Sequence, residues 1–138
     1  FEAKILHIPG HTSGHIAYHF FNEKKVFTGD TLFSLGCGRI FEGTYEQMFN
    51  SLKKIKTLHK DTEVYCGHEY TLQNSNFCAK YDSNNFQLKN KITKIKEKLE
   101  SGLPTVPTIL SEEMQCNLFL KANDVQTFSK LRDLKDNF

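Results

Sequence analysis

The 138 residues read as an α/β fold in two parts, with short strands and a polar site first and helices after them. Three observations predict it. Apolar runs of strand length in the first seventy or so residues end in glycine-containing polar junctions, whereas apolar residues at helical spacing dominate the remainder of the chain. A hydrophobic content of 38% with 12 Phe is enough to fill a core.

Strands are expected at Ala3 to Ile8, Ile16 to Phe21, Lys25 to Phe27 and Glu63 to Tyr65, with Asn22-Glu23 as a hairpin turn. A helix lies between the last two strands. Thr44 with Gln47 has the form of a capping box, and Met48, Leu52, Ile55 and Leu58 recur at helical spacing behind it. Thr71 to Tyr81 reads as a second helix, Leu88, Ile92, Ile95 and Leu99 mark a third that ends at Gly102, and Asp124 caps a last one through Val125, Phe128 and Leu131. This order divides the chain into an αβ half-domain over 1–71 and a helical extension over 72–138 that folds back on it.

Three short loops each come after an apolar run and each present a metal-binding side chain: His11 in Pro9-Gly10-His11, Asp30 in Thr28-Gly29-Asp30 and His68 in Cys66-Gly67-His68. Singly, each is an ordinary loop residue. Together they place two imidazoles and a carboxylate at one sheet edge, a donor set that suits a divalent ion, with zinc, iron and manganese all compatible. His11, Asp30 and His68 are therefore expected to converge at one end of the strands. His15, four residues after His11, would share a helix face with it, but Pro9, Gly10 and Gly14 favour a loop. His15 is accordingly read as a supporting group aimed elsewhere.

Composition excludes several classes. The net charge of +2 and the spread of Lys89, Lys91, Lys94, Lys96 and Lys98 around a helix argue for a solvated face and against nucleic-acid binding. No apolar run approaches the roughly 18 residues of a membrane span. Cys37, Cys66, Cys78 and Cys116 form no Cys-x-x-Cys pair, which points to a reducing, cytoplasmic setting, an organellar one staying open. Cys66 is read as a buried strand residue rather than a thiolate ligand.

Pro9-Gly10-His11-Thr12-Ser13-Gly14-His15, Phe27-Thr28-Gly29-Asp30-Thr31-Leu32-Phe33, Gly36-Cys37-Gly38-Arg39 and Tyr65-Cys66-Gly67-His68-Glu69-Tyr70-Thr71 resemble glyoxalase II, the hydroxyacylglutathione hydrolase branch of the metallo-β-lactamase superfamily. Pro104-Thr105-Val106-Pro107, Ser111-Glu112-Glu113 and Arg132-Asp133-Leu134-Lys135-Asp136 resemble that family's C-terminal helical region. The resemblance implies the second half of a metallo-β-lactamase-type αββα sandwich followed by a helical glutathione-binding domain. The family's upstream Thr-His-x-His-x-Asp-His segment, which supplies further ligands, is absent from these residues. The chain thus reads as a fragment, inactive alone, with half a sheet left unpaired.

The implied activity is hydrolysis of S-(2-hydroxyacyl)glutathione, such as S-D-lactoylglutathione, by a hydroxide bridging two divalent metal ions. In that reading Asp30 bridges the ions, His11 serves one and His68 the other. Arg39, Phe41, His68 and Tyr70 line the thioester site, and Arg132 with Lys135, three apart on the last helix, clamps the glutathione carboxylates. The protein is expected to act as a monomer on a small-molecule substrate. Two other readings stay open at this point: a glutathione-persulfide dioxygenase of the same fold using one iron, and a non-catalytic glutathione-binding remnant.

Overall fold

The computed structural model describes residues 1–138. Five strands form one sheet in the order β1-β2-β3-β6-β7, built from β1 (Lys4–His7), β2 (Ile16–Phe20), β3 (Lys25–Gly29), β6 (Glu63–Cys66) and β7 (Thr108–Ile109). A hairpin of β4 (Leu32–Phe33) and β5 (Gly36–Cys37) stands apart from it. The helices are α1 (Tyr45–Lys56), α2 (Thr71–Tyr81), α3 (Phe86–Glu100), α4 (Leu110–Cys116), α5 (Leu118–Lys121) and α6 (Val125–Asp136). None is long and apolar enough to cross a membrane.

Strand direction decides where the loops go. β2 runs antiparallel to both β1 and β3, and β3 runs parallel to β6, so β1, β3 and β6 all point the same way. Their C-terminal ends therefore lie on one sheet edge, and the loops carrying His11, Asp30 and His68 leave from it. The parallel step from β3 to β6 needs a crossover, which α1 provides. Thr44 starts α1 with the expected capping box: its side chain accepts from the Gln47 amide, and the Gln47 side chain accepts from the Thr44 amide.

Side-chain alternation gives the sheet two unlike faces. Ala17, Val26 and Val64 point inward and are fully buried with Met48, Leu52 and Ile55 of α1. On the other face Ile5, Tyr18, Phe27 and Tyr65 line up across neighbouring strands, Phe27 and Tyr65 stack at 4.8 Å, and Ile5, Tyr18 and Phe27 are exposed. The exposed face of the sheet is thus an aromatic one.

The second part is not a purely helical extension, because β7 pairs antiparallel with β6 and completes the sheet. Its side chains also enter the first part's core: Phe77, Leu110, Phe119, Leu120 and Phe128 share one cluster with Ile8, Val26 and Met48. Burying a Phe or Leu contributes about 1.5–3 kcal/mol, so neither part retains its core without the other. β4, β5, β7, α4 and α5 were not expected. Each is too short to show a period, and α4 is separated from α5 only by Asn117, whose side chain caps α5 by accepting from the Phe119 amide.

Candidate metal centre

Asp30 sits between the two histidines. Its Oδ2 lies 3.5 Å from His11 Nε2, and its Oδ1 lies 3.2 Å from His68 Nε2. No three His, Cys, Asp or Glu side chains converge as a ready-made three-ligand site. The arrangement is pairwise instead, one carboxylate oxygen facing each imidazole, and this refines the expected convergence on a single point. Two donors held about 2.1 Å from one ion at octahedral to tetrahedral angles stand roughly 3.0–3.4 Å apart. Both pairs fall close to that spacing, so the donor set fits a carboxylate shared between two ion positions.

The loops are shaped around Asp30. Gly29 has φ +56°, in the left-handed region, and a Cβ there would come within 2.6 Å of His15 Nε2. Gly67 has no positive φ. A Cβ on it would meet Asp30 Oδ1 at 2.5 Å, so this glycine supplies room for the carboxylate rather than a turn. His15 takes the supporting role expected of it: its Nε2 accepts from the Asp30 amide at 3.1 Å.

His11 Nδ1 lies 2.7 Å from the Arg39 carbonyl. Donation there fixes the proton on Nδ1 and leaves the Nε2 lone pair facing Asp30. The His68 ring stacks on Tyr70 at 4.7 Å with a 12° interplanar angle, and Phe33 meets Tyr70 edge-on at 5.1 Å. Phe41 packs against His11 at 5.1 Å.

These residues border a cleft of about 340 Å³, whose other wall is α6 with Arg132, Lys135 and Asp136. All the expected site residues therefore meet in one place, but the clamp is not an exposed pair. Arg132 is buried, and its Nη1 donates to the Cys37 carbonyl at 2.6 Å and to the Gly38 carbonyl at 3.3 Å. Its Nη2 also pairs with Asp136 at 2.9 Å. With those groups satisfied, Arg132 holds the Cys37-Gly38 backbone first of all. Arg39 likewise leans on Asp136, with Nε 3.7 Å from the carboxylate.

Lys135 is different. No carboxylate lies within ion-pairing distance of its ammonium, and burial, then the like charges of Arg132 and Arg39, push its pKa down. An anion entering the cleft would relieve that repulsion. Burial raises the Cys37 and Cys66 thiols, and carries Cys78 up to about 12 and Cys116 up to about 11. Asp136, Asn74 and Gln73 of the cleft wall were not expected, since nothing in their spacing sets them apart from ordinary helix residues.

Comparison with known proteins bears on this constellation. The model of the metallo-beta-lactamase superfamily matches residues 1–68, and that of the hydroxyacylglutathione hydrolase C-terminus matches residues 69–138. The chain belongs to the hydroxyacylglutathione hydrolase family. Hydroxyacylglutathione hydrolase of Pelagibacter ubique (strain HTCC1062) is 64% identical over all 138 residues, which cover 58% of that protein. The protein of the same name from Prochlorococcus marinus (strain MIT 9301) is 50% identical over 98% of this chain and 55% of its own length. The chain thus spans rather more than half the length of these relatives.

Among solved structures, that of ETHE1 from Myxococcus xanthus shares 26% identity at a TM-score of 0.64, over 95% of this chain and 44% of that one. BLEG-1 B3 metallo-beta-lactamase, at 24% identity and a TM-score of 0.57, covers 87% of this chain and 42% of its own, a likeness of fold. The hydroxyacylglutathione hydrolase family and the metallo-β-lactamase fold agree with the sequence expectation. Family membership also implies divalent metal ions.

Proposed function

We propose that this chain forms one side of a metal-dependent site that hydrolyses S-(2-hydroxyacyl)glutathione to glutathione and a 2-hydroxy acid. The observation that carries the reading is the placement of the Asp30 carboxylate between His11 and His68, facing across one cleft an α6 wall whose Lys135 makes no ion pair. His11, Asp30 and His68 would hold two divalent ions, zinc, iron or manganese, which when bound lower the pKa of water to about 7 and polarise a carbonyl.

The chain's own residues do the rest. Asp30, held by His15 at its amide and given room for its carboxylate by Gly67, faces both histidines. The Arg39 carbonyl sets the His11 tautomer. Phe33, Phe41 and Tyr70 make the ligand side of the cleft aromatic, while the Tyr70 phenol offers a polar contact. The leaving group needs no dedicated acid, because a thiol of pKa about 8.5 departs readily as thiolate.

Glutathione brings two carboxylates into a cleft whose Arg39 and Arg132 are already paired with Asp136. Lys135 is therefore the cation that meets the substrate. In the full-length polypeptide, Lys135→Ala should raise KM for S-D-lactoylglutathione about tenfold and leave kcat within about twofold, the signature of lost remote binding. A thioester of the same acyl group on a thiol without carboxylates should be hydrolysed poorly by both proteins and show no such difference. Equal turnover of the two thioesters by the parent would remove glutathione from the proposal.

A further inference from the structure

The turn Ser34-Leu35 between β4 and β5 is held in a conformation that its sequence does not favour. Leu35 has φ +61°, in the left-handed region that a side chain such as leucine seldom occupies. Such a backbone persists where its surroundings over-determine it. Here the surroundings are a buried polar cluster from the second part of the chain.

Glu113 of α4 is fully buried at its centre. Its Oε1 accepts from the Leu35 amide at 2.7 Å, and its Oε2 accepts from the Ser34 hydroxyl at 3.0 Å and the Thr108 hydroxyl at 2.7 Å. Asn117, one turn later, donates to the Glu113 carboxylate at 3.1 Å and to the Phe33 and Gly36 carbonyls at 3.3 and 3.1 Å. Asn74 donates to the Ser34 carbonyl at 3.2 Å, and the Lys91 ammonium lies 3.5 Å from Glu113 Oε2. Burying a carboxylate costs several kcal/mol unless such partners are in place, and Ser34, Leu35, Asn117 and Asn74 tie this cluster to one hairpin.

That hairpin reaches the candidate site from below. Phe33 packs on Tyr70 at 5.1 Å and lies 6.1 Å from His68. The Cys37 carbonyl receives Arg132, and the Gly38 amide donates to the Thr31 carbonyl, next to Asp30, at 3.1 Å. We propose that Glu113 is a positioning residue: by fixing the Ser34-Leu35 turn it seats Phe33 under the His68–Tyr70 ring pair and aligns the Cys37-Gly38 backbone beside Asp30. The proposal rests on the thioester-hydrolase reading for what is positioned, while the grip itself can be measured without turnover.

The test uses the full-length polypeptide with Glu113→Gln, which keeps the size and removes the charge, and Glu112→Gln, which removes the other carboxylate near Lys91, as control. Amide hydrogen exchange over residues 31–39 should accelerate about tenfold or more in Glu113→Gln while α1 keeps its protection. Per metal-loaded molecule, kcat should fall about tenfold with KM nearly unchanged, the scale of a lost outer-shell support. Glu112→Gln should change neither. If Glu113→Gln does not fold, Ser34→Ala must show the same local acceleration in smaller degree. Uniform acceleration across the chain, or none over 31–39, in the variant that folds would overturn the proposal. Failure of the parent to hydrolyse the thioester would instead overturn the functional reading and leave the exchange result standing.

Discussion

Asp30→Ala is expected to take metal and activity away together. Each oxygen of this carboxylate faces a different histidine, so its loss unlinks the two ion positions rather than weakening one of them. In the full-length polypeptide, metal content should fall below the parent's and kcat should drop by on the order of a thousandfold, the upper end of what one lost hydrogen-bond donor to an oxyanion costs. KM should move little. Elemental analysis beside steady-state kinetics checks this, and a variant with full metal content and near-parental kcat would show that Asp30 is no ligand.

The second large effect concerns stability. Phe128 of α6 is fully buried, 6.0 Å from both the Phe49 and the Phe119 rings, where α1, α5 and α6 meet. Phe128→Ala should cost about 3–5 kcal/mol, a large part of the roughly 5–15 kcal/mol by which a domain is stable. The midpoint of urea unfolding should fall accordingly with the slope unchanged. The same helix carries Arg132 and Lys135, so this core change should also raise KM. A loss below about 1 kcal/mol would mean that α6 is not part of the common core.

Long periodic segments were legible in the sequence because their signals are local. The Thr44–Gln47 capping box, the α3 stripe ending before Gly102 and the Asp124 cap all appear where the residues alone place them. His11, Asp30 and His68 also come together, because each follows a strand of the same direction. What the sequence hid depends on contacts distant along the chain. β7 is two residues long and exists because β6 offers an edge to pair with. Arg132 looked like a free cation until the Cys37 and Gly38 carbonyls, 95 and 94 residues earlier, were brought to it. Glu113 was visible as part of a family-like motif, but its burial against Leu35, 78 residues away, has no local sign.

If His11, Asp30 and His68 hold ions on which thioester cleavage depends, activity must track metal. The decisive measurement removes metal from the full-length polypeptide with a chelator, then restores zinc, iron or manganese stepwise while hydrolysis of S-D-lactoylglutathione is recorded. Activity should vanish on removal and return in proportion to metal bound, and Asp30→Ala should recover neither. Undiminished hydrolysis by the metal-free protein would contradict the metal-dependent reading of the site.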